Sequence, residues 1–246
     1  MNASFPLLVA CAVIGQQKPL ADVEPFGTKV ANVVQVLTPK LTLLEEEDAK
    51  VTGTDTWIFD ELAFISPRMI TVEVPGKQPT RRTMLYVVYR VTNRGKKDRK
   101  FVPSFLLVDD RGNSYLDTIM PKVQRAIQAR EDPMRPLENS VSAIRDIKTS
   151  TELGVDRALY GVAIWDATPE PAPKDGSPRK TIDPTHNGFD ILITGLSNAY
   201  KPIPDPVTGE TKTQRKTLQL KFTRPGDEFN QHEREIKYTG HEWIYQ

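Results

Sequence analysis

The stretch Leu85-Tyr86-Val87-Val88-Tyr89-Arg90-Val91-Thr92-Asn93-Arg94-Gly95 decides the fold. Leu85, Val87, Tyr89 and Val91 form one apolar face, and Tyr86, Val88, Arg90 and Thr92 form the other. Period two with β-branched and aromatic residues marks a strand, because successive side chains of an extended chain point to opposite sides. Asn93-Arg94-Gly95 then supplies residues that stop it. The same period recurs outward. Ile70, Val72 and Val74 alternate with Thr71 and Glu73, and Phe105 to Val108 form a short strand apolar on both sides. Asp109-Asp110-Arg111-Gly112-Asn113 follows as a hairpin turn. Tyr160, Val162 and Ile164 alternate with Gly161, Ala163 and Trp165. Phe189, Ile191 and Ile193 form another strand, as do Leu218, Leu220 and Phe222, and a last segment runs from Ile236 to Tyr245.

Alternation with one polar face predicts antiparallel sheets half exposed to water. About seven such strands separated by turn clusters predict a β-sandwich of immunoglobulin-like type. Its expected span is residues 56–246. One short helix is expected: Pro121 sits in a first turn, Val123, Ala126 and Ile127 follow at helical spacing, and Asp132-Pro133 ends it. Residues 168–186 hold five prolines and residues 201–214 hold three. Both stretches are expected to be long Pro-rich loops outside the sheets.

Composition narrows the function classes. In 246 residues, 33 Lys and Arg balance 32 Asp and Glu, a net charge of +1, which argues against a dedicated nucleic-acid binder. One cysteine rules out an intrachain disulfide and a Cys-based zinc site. No run of about 18 apolar residues offers a transmembrane helix in the mature chain. Residues 7–14, LLVACAVI, match the apolar core of a secretory signal. Cleavage after Gly15 gives a signal peptide over 1–15, an N-terminal segment over 16–55, and a secreted or periplasmic address. Leu8-Val9-Ala10-Cys11 also reads as a lipobox, which would anchor the chain through a lipidated Cys11. Residues 1–6 lack the Lys or Arg usual at the start of such a signal. The acidic run Glu45-Glu46-Glu47-Asp48 reads as a solvated turn or helix end.

Val91-Thr92-Asn93-Arg94-Gly95 followed by the Phe-rich strand into Asp109-Asp110-Arg111-Gly112 resembles the telokin-like immunoglobulin-fold families of exported bacterial proteins. Gly161-Val162-Ala163-Ile164-Trp165, Gly195-Leu196-Ser197-Asn198, Arg215-Lys216-Thr217-Leu218-Gln219-Leu220, Arg224-Pro225-Gly226-Asp227 and Trp243-Ile244-Tyr245 resemble blocks of a group of secreted bacterial proteins without an assigned activity. The resemblance spans residues 60–246. It implies an immunoglobulin-like fold and an exported address, often on a lipoprotein, and carries no catalytic residues.

Gly195-Leu196-Ser197-Asn198-Ala199 is one residue from the nucleophile elbow G-x-S-x-G, with Asp205 or Asp227 and His232 or His241 in triad order behind it. An elbow needs a helix to follow, and Tyr200-Lys201-Pro202-Ile203-Pro204-Asp205-Pro206 cannot form one. A strand-ending turn with Gly195 at positive φ is the expectation. His232-Glu233-Arg234-Glu235-Ile236 has Ile where H-E-x-x-H needs its second metal ligand, and His186, His232 and His241 are expected to be ordinary histidines. Asp183, Asn187 and Asp190, like Asp109, Asp110 and Asn113, carry oxygens suited to calcium but sit in turn-forming sequence. Arg94, Lys96, Lys97, Arg99 and Lys100 put five cations in seven residues. Such a run either guards a sheet edge or contacts an anionic surface. Trp57, Trp165 and Trp243 are expected in the core, or on a sugar-stacking platform if exposed.

These readings converge on an exported, non-catalytic interaction module without a cofactor, binding a protein, glycan or cell-envelope component through loops at one end. The alternatives are a secreted hydrolase with a His/carboxylate site and a carbohydrate-binding domain.

Overall fold

A computed structural model of the chain describes residues 37, 39–43, 56–74, 80–150, 157–170, 181–182, 188–204, 211–224 and 236–246, all within one compact unit, Gln35–Gln246. The signal-like residues 1–15 with Cys11, the acidic run, and Asp183, His186, Asn187, Asp205, Asp227 and His232 lie outside the described residues. The protein is mainly β with antiparallel sheets and one helix among the described residues.

The first sheet is organised by β4 (Thr80–Thr92). Along one edge of β4 run β2 (Glu61–Phe64) and then β3 (Arg68–Val74), a single extended path broken at residues 65–67. β9 (Leu159–Asp166) takes the other edge, and β1 (Lys40–Thr42) adds to β2. The second sheet is built on β12 (Thr211–Thr223), flanked by β13 (Lys237–Tyr245) and by β10 (Gly188–Thr194), which pairs onward to β6 (Ser104–Asp109) and β7 (Ser114–Leu116). β11 (Tyr200–Pro204) also pairs with β12. β5 (Arg99–Phe101) and β8 (Arg145–Ile147) form a separate two-stranded arm.

The two sheets share one core. Leu62, Phe64, Val87, Tyr89, Ala163 and Trp165 of the first meet Phe105, Leu107, Ile191, Leu218, Leu220 and Phe222 of the second. Ring centroids lie 4.8 Å apart for Tyr89 and Phe105 and 6.0 Å apart for Phe64 and Phe222. Trp165 is a core residue whose indole N–H donates across the core to the Tyr115 carbonyl at 3.0 Å. Full burial of each large apolar side chain is worth about 1.5–3 kcal/mol.

The expected water-facing side of β4 needs correction. In the second sheet the outward face is polar, with Gln219 bonded to Asp190 and Lys221 paired with Glu242. In the first sheet Met84, Tyr86 and Val88 join Val162 and Ile164 in a second buried cluster, closed by the helix α1 (Pro121–Glu131) through Val123 and Ile127. The apolar half of the Tyr86/Val88/Arg90/Thr92 face is what the helix covers. α1 starts at Pro121 and ends before Asp132, as its signals indicate. Its last residue, Glu131, is buried, where its charge opposes the helix dipole. Tyr86 donates its hydroxyl to Glu131 at 2.5 Å, and Arg68 pairs with it at 2.7 Å.

Residues 201–214 also depart from expectation. Residues 201–204 and 211–214 belong to the paired strands β11 and β12. Pro202 and Pro204 fit because β11 is an edge strand: residues two apart point the same way, so both N–H-less nitrogens face away from β12. Between β10 and β11 the chain leaves the second sheet and bonds to residues 57–59, which lead into β2. Phe59 N–H donates to the Leu196 carbonyl (2.9 Å), Trp57 N–H to Asn198 Oδ1 (2.7 Å) and Ser197 Oγ to the Trp57 carbonyl (3.0 Å). Gly195 starts this excursion at φ +87°, where an added Cβ would lie 2.3 Å from the Val102 carbonyl oxygen. Gly112, in the β6–β7 turn at φ +82°, has open space around it.

Gly195→Ala is therefore expected to lose more than about 2 kcal/mol, strain plus clash, and Gly112→Ala only about 1 kcal/mol of backbone strain. Urea midpoints of the two variants check the difference; equal losses would remove the packing constraint at Gly195.

Candidate functional site

β4 stops at Thr92 because Asn93 turns its own bonding to the arm. The buried Asn93 amide donates to the carbonyls of Lys97 (3.0 Å) and Ile147 (2.9 Å), its Oδ1 accepts from Gly95 N–H (3.1 Å), and its carbonyl accepts from Ser150 N–H (2.7 Å). Phe101 and Ile147 anchor the arm in the core. Across 94–100 and 145–148 the arm brings seven cations together with only two carboxylates, Asp98 and Asp146. Lys148 pairs with Asp98 at 2.6 Å. That bond, with one from Thr149 N–H, holds the Asp98 carboxyl below its usual range, and Lys148 is raised in turn. Arg157 is close enough to act on both charges.

The five cations of the basic run take different roles. Arg94 pairs with Glu61 at 3.3 Å and donates its backbone N–H to Asp60 at 2.6 Å, while Arg99 lies over the Trp57 ring at 5.6 Å. Lys96, Lys97 and Lys100 are exposed and form no ion pair among the described residues. Nothing in the sequence singles out Arg145, Lys148 or Arg157; the pairing of β5 with β8 places Arg145 opposite Phe101, Lys148 reaches Asp98, and Arg157 acts on that pair.

Behind the arm, charged side chains on the outer face of the first sheet form a chain. Buried Glu61 takes Lys40 at 2.7 Å and Arg90, and Arg90 also bonds the Tyr160 hydroxyl. Burial raises the Glu61 pKa, and the bonds and charges of Lys40 and Arg90 more than reverse this, leaving it below the usual carboxyl range. Arg135 donates to the Tyr160 hydroxyl at 2.5 Å and stacks on its ring at 4.7 Å. Arg135, Pro136, Glu138, Arg145 and residues 158–160 line an open cleft of about 310 Å³. Arg145 pairs with Glu138 at 2.5 Å, and although burial raises Glu138, bonds from Ser142 and Arg145 hold it low.

Deeper in lies an unpaired polar couple. Tyr89 crosses β9 at Gly161, where an added Cβ would lie 2.4 Å from the Tyr89 hydroxyl oxygen. That hydroxyl and Asp117 Oδ2 are buried without a hydrogen-bond partner among the described residues. Burial, then the charges of Asp117 and Glu138, pushes the Tyr89 pKa upward; burial also raises Asp117 despite a bond from Ser140.

The remaining candidates have structural roles. Ser197 spends its hydroxyl on the Trp57 carbonyl and on Ala199 N–H. His241 is exposed on β13 and bonds Tyr238 at 2.5 Å. The Asp109 carboxylate accepts from the backbone of Arg111 and Asn113 and from the Asn113 amide, so it closes the β6–β7 turn. Asp190 accepts from Gln219. Trp57 and Trp243 are half-buried, with Arg99 over the first and Lys216 over the second at 4.7 Å. No helix among the described residues is long and apolar enough to cross a membrane. No protein-family model, curated protein or solved structure matches the chain.

A carboxyl raised by burial binds its proton more tightly in the folded state, so its stabilisation is complete below the unfolded pKa and declines as pH rises through the folded one. Asp117→Asn, which has no such proton to lose, should raise the melting temperature at pH 8 by more than at pH 4. Thermal melts at the two pH values check this; an equal change at both would remove Asp117 as a source of pH dependence.

Proposed function

We propose that this protein is an exported, non-catalytic interaction module, an immunoglobulin-like sandwich similar to the telokin-like families, that holds an acidic glycan of the cell envelope through its β5–β8 arm. The carrying observation is the convergence on that arm of cations from 94–100 and 145–148, three of them lysines without ion pairs among the described residues. A near-neutral chain that concentrates positive charge on one arm attracts polyanions there. The core-anchored arm also limits the ordering needed on binding, which lowers its cost. The apolar run 7–14 supports the exported address.

The protein should be retained on immobilised polygalacturonate at low salt and released as salt rises, because exposed charges are screened. Lys96→Ser, Lys97→Ser and Lys100→Ser combined should weaken retention by about tenfold without lowering the melting temperature. Unchanged retention would overturn the arm's role.

Intact mass of the protein from native cell fractions tests the address. Loss of residues 1–15, or lipid added at Cys11, is expected from an exported chain; a full-length mass in the cytoplasmic fraction would overturn export.

A further inference from the structure

The open cleft beside the arm shares Arg145 with it, so the two form one surface. Its volume, about 310 Å³, lies at the lower end for ligand pockets and suits a group the size of one sugar unit. Arg135, in its lining, is held by the Tyr160 ring and hydroxyl, with Asp132 3.7 Å from its Nε. Arg145, also in the lining, is held by the Glu138 carboxylate and the Ser142 carbonyl, both of which bond its Nη2. Among the described residues these contacts leave Arg135 Nη2 and Arg145 Nε and Nη1 without partners. Each guanidinium keeps a fixed positive charge and at least one spare N–H donor, so a carboxylate is held by charge-assisted bonds shared between the two side chains rather than by a fork on one of them. Glu138 directs its own charge at Arg145 and Ser142, while Lys148 and Arg157 fall in the chain between the lining residues Arg145 and Ala158.

We propose that this cleft is a uronate pocket: it seats the carboxylate of one acidic sugar, with Arg135 as the main contact and Arg145 as the second, while the arm tracks the rest of the polymer. The pocket rests on the acidic-glycan reading, which names the polymer but not where a single unit is recognised. An acidic chain lying along β8 reaches the cleft directly, since Arg145 belongs to both.

Free D-glucuronate, methyl glucoside and inorganic phosphate are the probes, titrated into the full chain by calorimetry. Glucuronate is expected to bind in the millimolar range and methyl glucoside not at all. Arg135→Gln should weaken glucuronate by about tenfold, and Arg135→Lys, which keeps the charge but not the planar group that Tyr160 holds in place, should weaken it as well. The triple lysine variant should bind free glucuronate like the unaltered protein while losing polygalacturonate. No glucuronate binding, or binding indifferent to both Arg135 substitutions, would overturn the pocket, even with polymer retention intact. Phosphate binding as tightly as glucuronate would overturn the carboxylate assignment. Glucuronate binding without polymer retention would instead strike at the arm and leave the pocket standing.

Discussion

Thirteen residues, Thr80–Thr92, must satisfy two edges and two faces at once. One edge of β4 bonds β2 and β3, and the other bonds β9; one face packs on the second sheet and the other under α1. A strand so enclosed cannot slip by one residue, because a slip would exchange its two buried faces wholesale. The register passes to its neighbours. Gly161 must stand opposite Tyr89, since only a residue without Cβ leaves room for that ring. Tyr86 must stand under Glu131, which fixes the end of α1.

The charged network follows from where β4 ends. Its last turns of pleat bring Arg90 to Glu61 and Tyr160, and Asn93 hands the chain to the arm. A buried carboxylate such as Glu61 is tolerated because cations from three separate segments, Lys40, Arg90 and Arg94, reach it. The arm and the cleft are thus extensions of one sheet end, and their geometry is set by the same core that sets the register.

Much of this was legible in the chain. The alternation around Leu85–Val91, the Asp109–Asn113 turn, the single helix and the backbone demand on Gly195 all rest on local rules, and local rules are what a sequence displays. The second buried face of β4 was not, because Tyr86 and Val88 mixed with Arg90 and Thr92 look like a wet face until a helix is known to lie on half of it. The strand character of residues 200–204 was hidden by prolines that only an edge tolerates. β5 and β8, three residues each, are too short for any period to show. The basic run 94–100 stood out as a run; Arg135, Arg145 and Tyr160 did not, since nothing in their spacing foretells that they line one cleft.

Arg99 and Ile147 are partners across the arm although a long span of chain, including β6, β7 and α1, separates them. Closing such a loop costs entropy that three short ladder pairs cannot offset alone. Pairing of the arm is therefore expected to follow formation of the sheets, which bring its two strands within reach. A chain still emerging already carries the run 94–100, but the cations of residues 145–148 join it only when β5 and β8 pair. The complete cationic surface is in this way deferred until assembly, a timing written into topology rather than into any added regulator.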